Sequence, residues 1–196
     1  DDVEALSVRV RIYDIESSIH FEGTVDVGAP AESSQSVLDL PECPGISEAY
    51  FLDLRLVDRK GGTELDQNLY WLSTTPDVLD YKAKIEPWAF YTPTKSFADL
   101  RLLNSLAPVD LEASYELTGN NLRIALHNPG TRLAFFLELG VDSPSGESIL
   151  PTFWEDNYIT LLPGETRHLL AALPQEAKEI TPWIEGWNVK RFSLKG

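Results

Sequence analysis

From residue 19 to residue 27 apolar and polar side chains alternate almost without error, in Ile19-His20-Phe21-Glu22-Gly23-Thr24-Val25-Asp26-Val27. A strand sends successive side chains to opposite faces. This order therefore puts Ile19, Phe21, Val25 and Val27 on one side and His20, Glu22, Thr24 and Asp26 on the other. Tyr50-Phe51-Leu52-Asp53-Leu54-Arg55-Leu56 repeats the scheme, with Leu52, Leu54 and Leu56 expected to face inward. So do Ala113-Ser114-Tyr115-Glu116-Leu117 and Leu122-Arg123-Ile124-Ala125-Leu126. Such segments are half-buried antiparallel strands.

Turn chemistry punctuates them. Lys60-Gly61-Gly62 and Gly119-Asn120-Asn121 supply residues that tolerate positive φ, as tight hairpins require. Asn128-Pro129-Gly130, Ser143-Pro144-Ser145-Gly146 and Leu162-Pro163-Gly164-Glu165 are further turns, and from residue 111 to 172 they recur at roughly the 8–12 residues of a sandwich or barrel. No long segment carries a helical stripe. The expected class is all-β: two immunoglobulin-like antiparallel β-sandwiches joined by an irregular aromatic- and proline-rich connection. The connection covers residues 76–99, where Pro87, Pro93, Trp88, Phe90 and Tyr91 follow without period, and Pro76 could open a single helical turn. The first sandwich then spans 1–75 and is incomplete, short of its opening strands or with one edge exposed. The second spans 100–196.

A hydrophobic fraction of 43% and an aromatic fraction of 10% suffice for a packed core and exclude disorder. No apolar run reaches the roughly 18 residues of a membrane helix. The net charge of −15, from 31 acidic and 16 basic residues, repels phosphate, so neither nucleic acid nor an anionic membrane is an expected partner. It suits solubility, or a cationic partner such as an aminosugar polymer. The chain opens on Asp1-Asp2 and contains no methionine, so it reads as a processed or excised piece. Cys43 stands alone in Pro41-Glu42-Cys43-Pro44-Gly45, which leaves no intrachain disulfide and no cysteine-based metal site.

A search for chemistry returns little. His20, His127 and His168 fall on the polar phase of their strands, none at metal-ligand spacing. There is no nucleophile elbow and no glycine-rich phosphate loop. No Asp/Asn loop has calcium-ligand spacing, so no metal and no cofactor are expected. Glu155-Asp156 is the best local carboxylate pair, but adjacent strand residues point to opposite faces and would not converge on one glycosidic bond. Asp156 and Asn157 are expected to start a turn or bond a neighbouring loop. No catalytic residue is therefore assigned. Among the aromatics, Trp71 and Trp187 read as fillers of cores or domain junctions. Trp88, Tyr91, Trp154 and Tyr158 are candidates either for carbohydrate contact or for docking another domain.

Some longer stretches resemble a known family. Asn68-Leu69-Tyr70-Trp71-Leu72-Ser73-Thr74-Thr75-Pro76-Asp77-Val78-Leu79-Asp80 is followed by Tyr91-Thr92-Pro93 and Phe97-Ala98-Asp99-Leu100. Further on come Ala134-Phe135-Phe136-Leu137, Ile149-Leu150-Pro151-Thr152-Phe153-Trp154-Glu155-Asp156-Asn157-Tyr158, Leu161-Leu162-Pro163-Gly164-Glu165-Thr166 and Glu185-Gly186-Trp187-Asn188-Val189. This ordered set resembles the C-terminal region of exo-β-D-glucosaminidases of glycoside hydrolase family 2, a family shared with β-mannosidases and β-galactosidases. The resemblance implies most of the fourth and all of the fifth domain of such an enzyme, acting on chitosan-type β-linked glucosamine with retention. Its catalytic carboxylates would lie on a TIM barrel outside this chain, and that barrel would be the partner. A β-mannosidase parent is the alternative, since these motifs do not fix the sugar. The other readings are a carbohydrate-binding module and a free-standing adhesin-like protein. The compartment is open, with a secreted or periplasmic parent the expectation.

Overall fold

A computed structural model describes residues 3–174 and 179–194. Asp1 and Asp2, on which the reading of the chain's opening rested, lie outside the described residues. The chain divides into two compact units, Asp1–Ser105 and Leu106–Gly196. Residues 76–99, expected as a connection, group with the first.

The first unit is built on four antiparallel strands: β1 (Val3–Asp14), β2 (Ile19–Ala29), β3 (Ala49–Asp58) and β4 (Glu64–Ser73). They form one sheet in the order β2-β1-β3-β4. Its apolar phase gathers Val10, Ile12 and Leu52, with Phe21, Tyr50, Leu54 and Leu72 around them, and Leu38, Cys43 and Ile46 of the β2–β3 loop pack against this cluster. Leu52 is thus inward, as its alternation requires, whereas Leu54 and Leu56 are half-buried.

The opposite phase of β3 is buried more deeply. Phe51, Asp53 and Arg55 are 0%, 1% and 5% exposed. Charged groups survive such burial only when paired and hydrogen-bonded. Arg55 Nε donates to Asp53 Oδ1 at 2.6 Å, and Nη1 donates to Glu64 Oε1 at 2.9 Å and to Gln67 Oε1. The phase of β3 that reads as solvated is therefore the more deeply buried one.

After β4 the expected helical turn at Pro76 does not form. Val78–Leu79 (β5) pairs instead with Thr94–Ser96 (β6) in a short ribbon. Asp77 fastens it by accepting from the Ala98 N–H at 2.7 Å, and the Asp80 N–H donates to the Pro93 carbonyl at 2.8 Å. These long-range bonds outweigh the local preference of Pro76. Residues between the two short strands are irregular, as their prolines and aperiodic aromatics imply. A 3-10 turn, Arg101–Ser105, follows and packs against β3 with Leu103 buried.

The second unit holds β7 (Glu112–Thr118), β8 (Asn121–His127), β9 (Ala134–Asp142), β10 (Phe153–Trp154), β11 (Ile159–Leu161), β12 (Thr166–Ala172), β13 (Thr181–Glu185) and β14 (Phe192–Ser193). Two four-stranded sheets result, β10-β12-β8-β7 and β11-β9-β13-β14. Alternation holds closely here: Leu122, Ile124 and Leu126 of β8 are sealed from solvent and meet Leu137, Leu139, Leu161 and Ile184 of the other sheet in one core. Gly119, at φ +62°, supplies the positive φ of the two-residue β7–β8 hairpin. The chain is all-β, with the architecture of immunoglobulin-like sandwich domains.

Three asparagines stitch the loops of this sandwich. Asn128, fully buried, donates to the carbonyls of Arg132 and Leu161 and accepts from Gly130. Asn188 donates to Ala107 and Leu133 and accepts from the Phe135 N–H. Asn157 both donates to and accepts from the backbone of Leu139, at 3.0 and 2.8 Å, so its amide acts as one more strand residue on β9.

Candidate functional site

The polar residues singled out in the sequence are dispersed. His20 lies 3.0 Å from Asp14 in the first unit, and His127 lies 2.9 Å from the Thr166 hydroxyl in the second. His168 is exposed on β12. Asp156 accepts from the Asn157 N–H and from Arg167 Nη2 at 3.2 Å, so it serves a turn and a surface ion pair rather than a partner carboxylate. Among the described residues no three His, Cys, Asp or Glu are placed to hold a metal ion, and no described helix is long and apolar enough to cross a membrane. Cys43 borders a groove of about 450 Å³ with Ile12, Leu40, Pro41, Ile46 and Tyr50.

The four candidate aromatics separate two and two. Trp88 and Tyr91 belong to the first unit and are 73% and 65% exposed, in a run that also bares Tyr81, Phe90 and Phe97. Trp154 and Tyr158 belong to the second. Trp154 is half-buried against the core cluster at the sheet edge, while Tyr158 is 51% exposed. The structure does not bring Trp154 and Tyr158 into one ring contact.

Tyr158 has other company, which sequence reasoning did not assemble. Ile159 pairs with Leu137 and Leu161 with Ala134, so Phe135 and Phe136 stand opposite Thr160 alone, a β-bulge. Phe136 takes φ +54° and Tyr158 φ +56°, conformations that bulky residues rarely adopt. Ala134 and Leu137 join the central core cluster on either side of the bulge, and Phe135 is buried outside that cluster. Its ring lies 5.7 Å from that of Phe136 and 6.2 Å, edge-on, from Trp187; Phe136 in turn lies 5.3 Å from Tyr158. Trp187, expected as a filler, is 55% exposed and roofs Phe135 from outside. A second hydrophobic layer thus sits on the outer surface of the β11-β9-β13-β14 sheet.

Carboxylates border it. Glu138, two residues beyond Phe136 on β9, pairs directly with Glu185 of β13, two residues before Trp187. The negative charge of Glu138, and a hydrogen bond to it, push the Tyr158 hydroxyl above its ordinary pKa. The one signal that could have found this group was the aromatic pair Phe135-Phe136 breaking the alternation of β9.

Comparison with known proteins gives this architecture a family. A family model described as the exo-beta-D-glucosaminidase Ig-fold domain matches residues 89–189, and one described as a mannosidase Ig/CBM-like domain matches residues 1–75. The exo-beta-D-glucosaminidase of Arthroderma benhamiae is 32% identical over 95% of this chain and 21% of its own length. That of Streptomyces avermitilis is 32% identical over 95% of this chain and 22% of its own. The crystal structure of an exo-chitosanase from Amycolatopsis orientalis matches with a TM-score of 0.90 at 27% identity, over 100% of this chain and 24% of that one. A beta-D-mannosidase from Dictyoglomus thermophilum, at 18% identity and a TM-score of 0.55, shares the fold over 97% of this chain and 19% of its own. The chain spans about a fifth of the length of the curated relatives it matches. With more than half of its residues inside the first of those family models, the chain belongs to the exo-β-D-glucosaminidase Ig-fold domain family.

Proposed function

We propose that this chain is a non-catalytic accessory portion of an exo-β-D-glucosaminidase that acts on chitosan-type β-linked glucosamine, and that it buttresses a TIM-barrel catalytic domain carried elsewhere in a longer protein. The family and the share of the relatives' length support the accessory role. The observation that carries the buttressing role is the aromatic run of the first unit. Trp88, Phe90 and Tyr91 are 73%, 99% and 65% exposed within four residues of one another. A contiguous exposed apolar patch of this kind marks a surface that another surface covers.

On the same reading, residues 1–75 are one layer of a sandwich whose second layer lies elsewhere in the longer protein, 76–99 are the docking connection, and 100–196 are a complete sandwich. The apolar face of the first sheet supports this, since Val8, Phe21, Leu54 and Leu72 are half-buried beside a small cluster and no second sheet closes over them among the described residues.

Two measurements test the role. The isolated chain is expected to leave aminosugar and mannoside substrates unhydrolysed, and turnover above a buffer blank ends the accessory reading. In the longer enzyme, Trp88→Ser with Phe90→Ser is expected to lower the temperature at which activity is lost, while the Tm of the isolated chain stays unchanged. Equal drops in both would mean that the rings hold their own unit together and dock nothing.

A further inference from the structure

The outer face of the β11-β9-β13-β14 sheet carries a feature that packing within the second unit does not account for. Glu138 and Glu185 face each other across β9 and β13. Residues so paired have Cβ atoms about 4.5–5.5 Å apart, and like charges there oppose folding. Among the described residues neither carboxylate has an ion-pair partner. Glu138 has the Tyr158 hydroxyl as its hydrogen-bond partner. Arg191, stacked on Trp183 two residues before Glu185, is engaged elsewhere: its Nη2 donates to Asp142 Oδ2 at 2.7 Å, and its guanidinium lies 3.8 Å from the Trp183 ring centroid.

Beside this uncompensated pair stand two half-bare rings, Tyr158 and Trp187, held from beneath by Phe136 and Phe135. The backbone adopts the left-handed region at both Phe136 and Tyr158 to place them. A ligand that satisfies this surface needs a positive charge for the carboxylates and a flat apolar face for the rings. Aromatic planes also attract a cation laid against them. A neutral sugar offers the carboxylates no charge, and a plain polyamine offers the rings no flat apolar face. A protonated glucosamine unit has both parts.

We propose that this face binds a β-linked glucosamine oligomer, with Glu138 and Glu185 receiving an ammonium group and Tyr158 and Trp187 receiving the apolar side of a pyranose. The proposal rests on the accessory reading only for its choice of sugar; the pairing of cation and apolar ring comes from the surface itself. It would hold a chitosan-type chain on the second unit.

The test is titration of the 196-residue chain with a glucosamine tetramer, an N-acetylglucosamine tetramer and spermine, followed by tryptophan fluorescence and amide shifts. The glucosamine tetramer is expected to move the amides around Phe136, Glu138, Tyr158, Glu185 and Trp187, and to bind at least about tenfold more tightly than the other two, a gap of roughly 1.4 kcal/mol. Glu185→Gln, an exposed and mild change, is expected to weaken the tetramer about tenfold. Trp187→Ala should do likewise, and Trp88→Ala in the other unit should leave binding unchanged. No shift at millimolar tetramer, binding indifferent to Glu185→Gln, or spermine binding as tightly as the tetramer each overturns the assignment; the last would mark a plain cation site, such as a lysine-rich segment of a longer chain would fill. None of these results touches the accessory reading, which is decided by turnover and by the heat stability of the longer enzyme.

Discussion

In the second unit Leu122, Ile124, Leu126, Leu137, Leu161 and Ile184 are sealed between two facing sheets, each fully buried. In the first, the corresponding apolar strand face gathers Val10, Ile12 and Leu52 under one loop, and the deepest side chains on the other face include an aspartate and an arginine. Both units start from the same alternating strands. The difference teaches that alternation decides which residues share a face, whereas a second layer decides how much that face is worth. With the layer present, apolar contacts dominate. Where the described residues supply no such layer, the deepest side chains include a buried ion pair, whose desolvation offsets much of its attraction.

That contrast can be broken most sharply at Asp53. Asp53→Ala removes the partner that Arg55 Nε meets at 2.6 Å while Glu64 and Gln67 still hold Nη1, and is expected to cost the first unit about 3 kcal/mol. Replacing both, as Asp53→Leu with Arg55→Met, should recover most of that loss, because the buried guanidinium that lost its Nε partner goes with it. Urea unfolding resolved unit by unit through amide hydrogen exchange reads both. If the double variant is as damaged as the single one, the ion pair itself helps hold the first unit together.

Truncation of leucines probes the other side of the comparison. Leu137→Ala opens a cavity in a closed core and is expected to cost roughly 2–5 kcal/mol. Leu54→Ala, on the half-covered face of β3, removes fewer contacts and is expected to cost about 1 kcal/mol. Equal losses would show that the first sheet is as well packed as the second sandwich. An effect below that of Leu137→Ala is expected at Gly140. A Cβ there would fall 2.1 Å from Trp183 Cζ2, so Gly140→Ala must displace a ring that Arg191 stacks upon. The expected cost is about 1–3 kcal/mol, with a change in tryptophan emission to match.

The strands were legible because their signal is local. Ile19–Val27, Tyr50–Leu56 and Leu122–Leu126 each carry their period within a few residues, and turns such as Gly119-Asn120 name their own geometry. The family was legible because whole stretches, from Asn68 to Asp80 and from Ile149 to Tyr158, stand in order. What stayed hidden depends on register. Asp53 and Arg55 read as solvent-facing until Glu64 and Gln67 of β4 arrive alongside. Glu138 and Glu185 are 47 residues apart in sequence and become a pair only when β13 docks on β9. Phe135-Phe136 breaks the alternation, but the break alone does not say that Phe135 is buried apart from the central cluster and Phe136 half-buried, and composition cannot tell an exposed Trp187 from a packed one. Pro76 was misleading for the same reason, since its helical preference is local and the ribbon that overrides it is closed by Pro93 and Ala98.

The smallest effect is expected at a second aspartate–arginine pair with the same two-residue spacing as Asp53 and Arg55. Asp99 accepts from Arg101 Nε at 2.9 Å and from its backbone N–H at 3.0 Å, but Arg101 is almost wholly exposed. The Arg101 side chain first, and its backbone N–H second, hold the Asp99 carboxyl down from 3.8 to about 2. A carboxyl whose folded pKa lies below its unfolded value contributes stability above the unfolded value and loses it as pH falls through the folded one, here between about 3.8 and about 2. Water screens the pair, so that contribution is slight. Arg101→Ala is expected to raise Asp99 toward the ordinary carboxylate range in an NMR titration, with the backbone N–H still holding it somewhat below, while leaving the unfolding free energy at neutral pH unchanged. If Arg101→Ala proved as destabilising as Asp53→Ala, spacing would matter more than burial, and the contrast between the two units would have another cause.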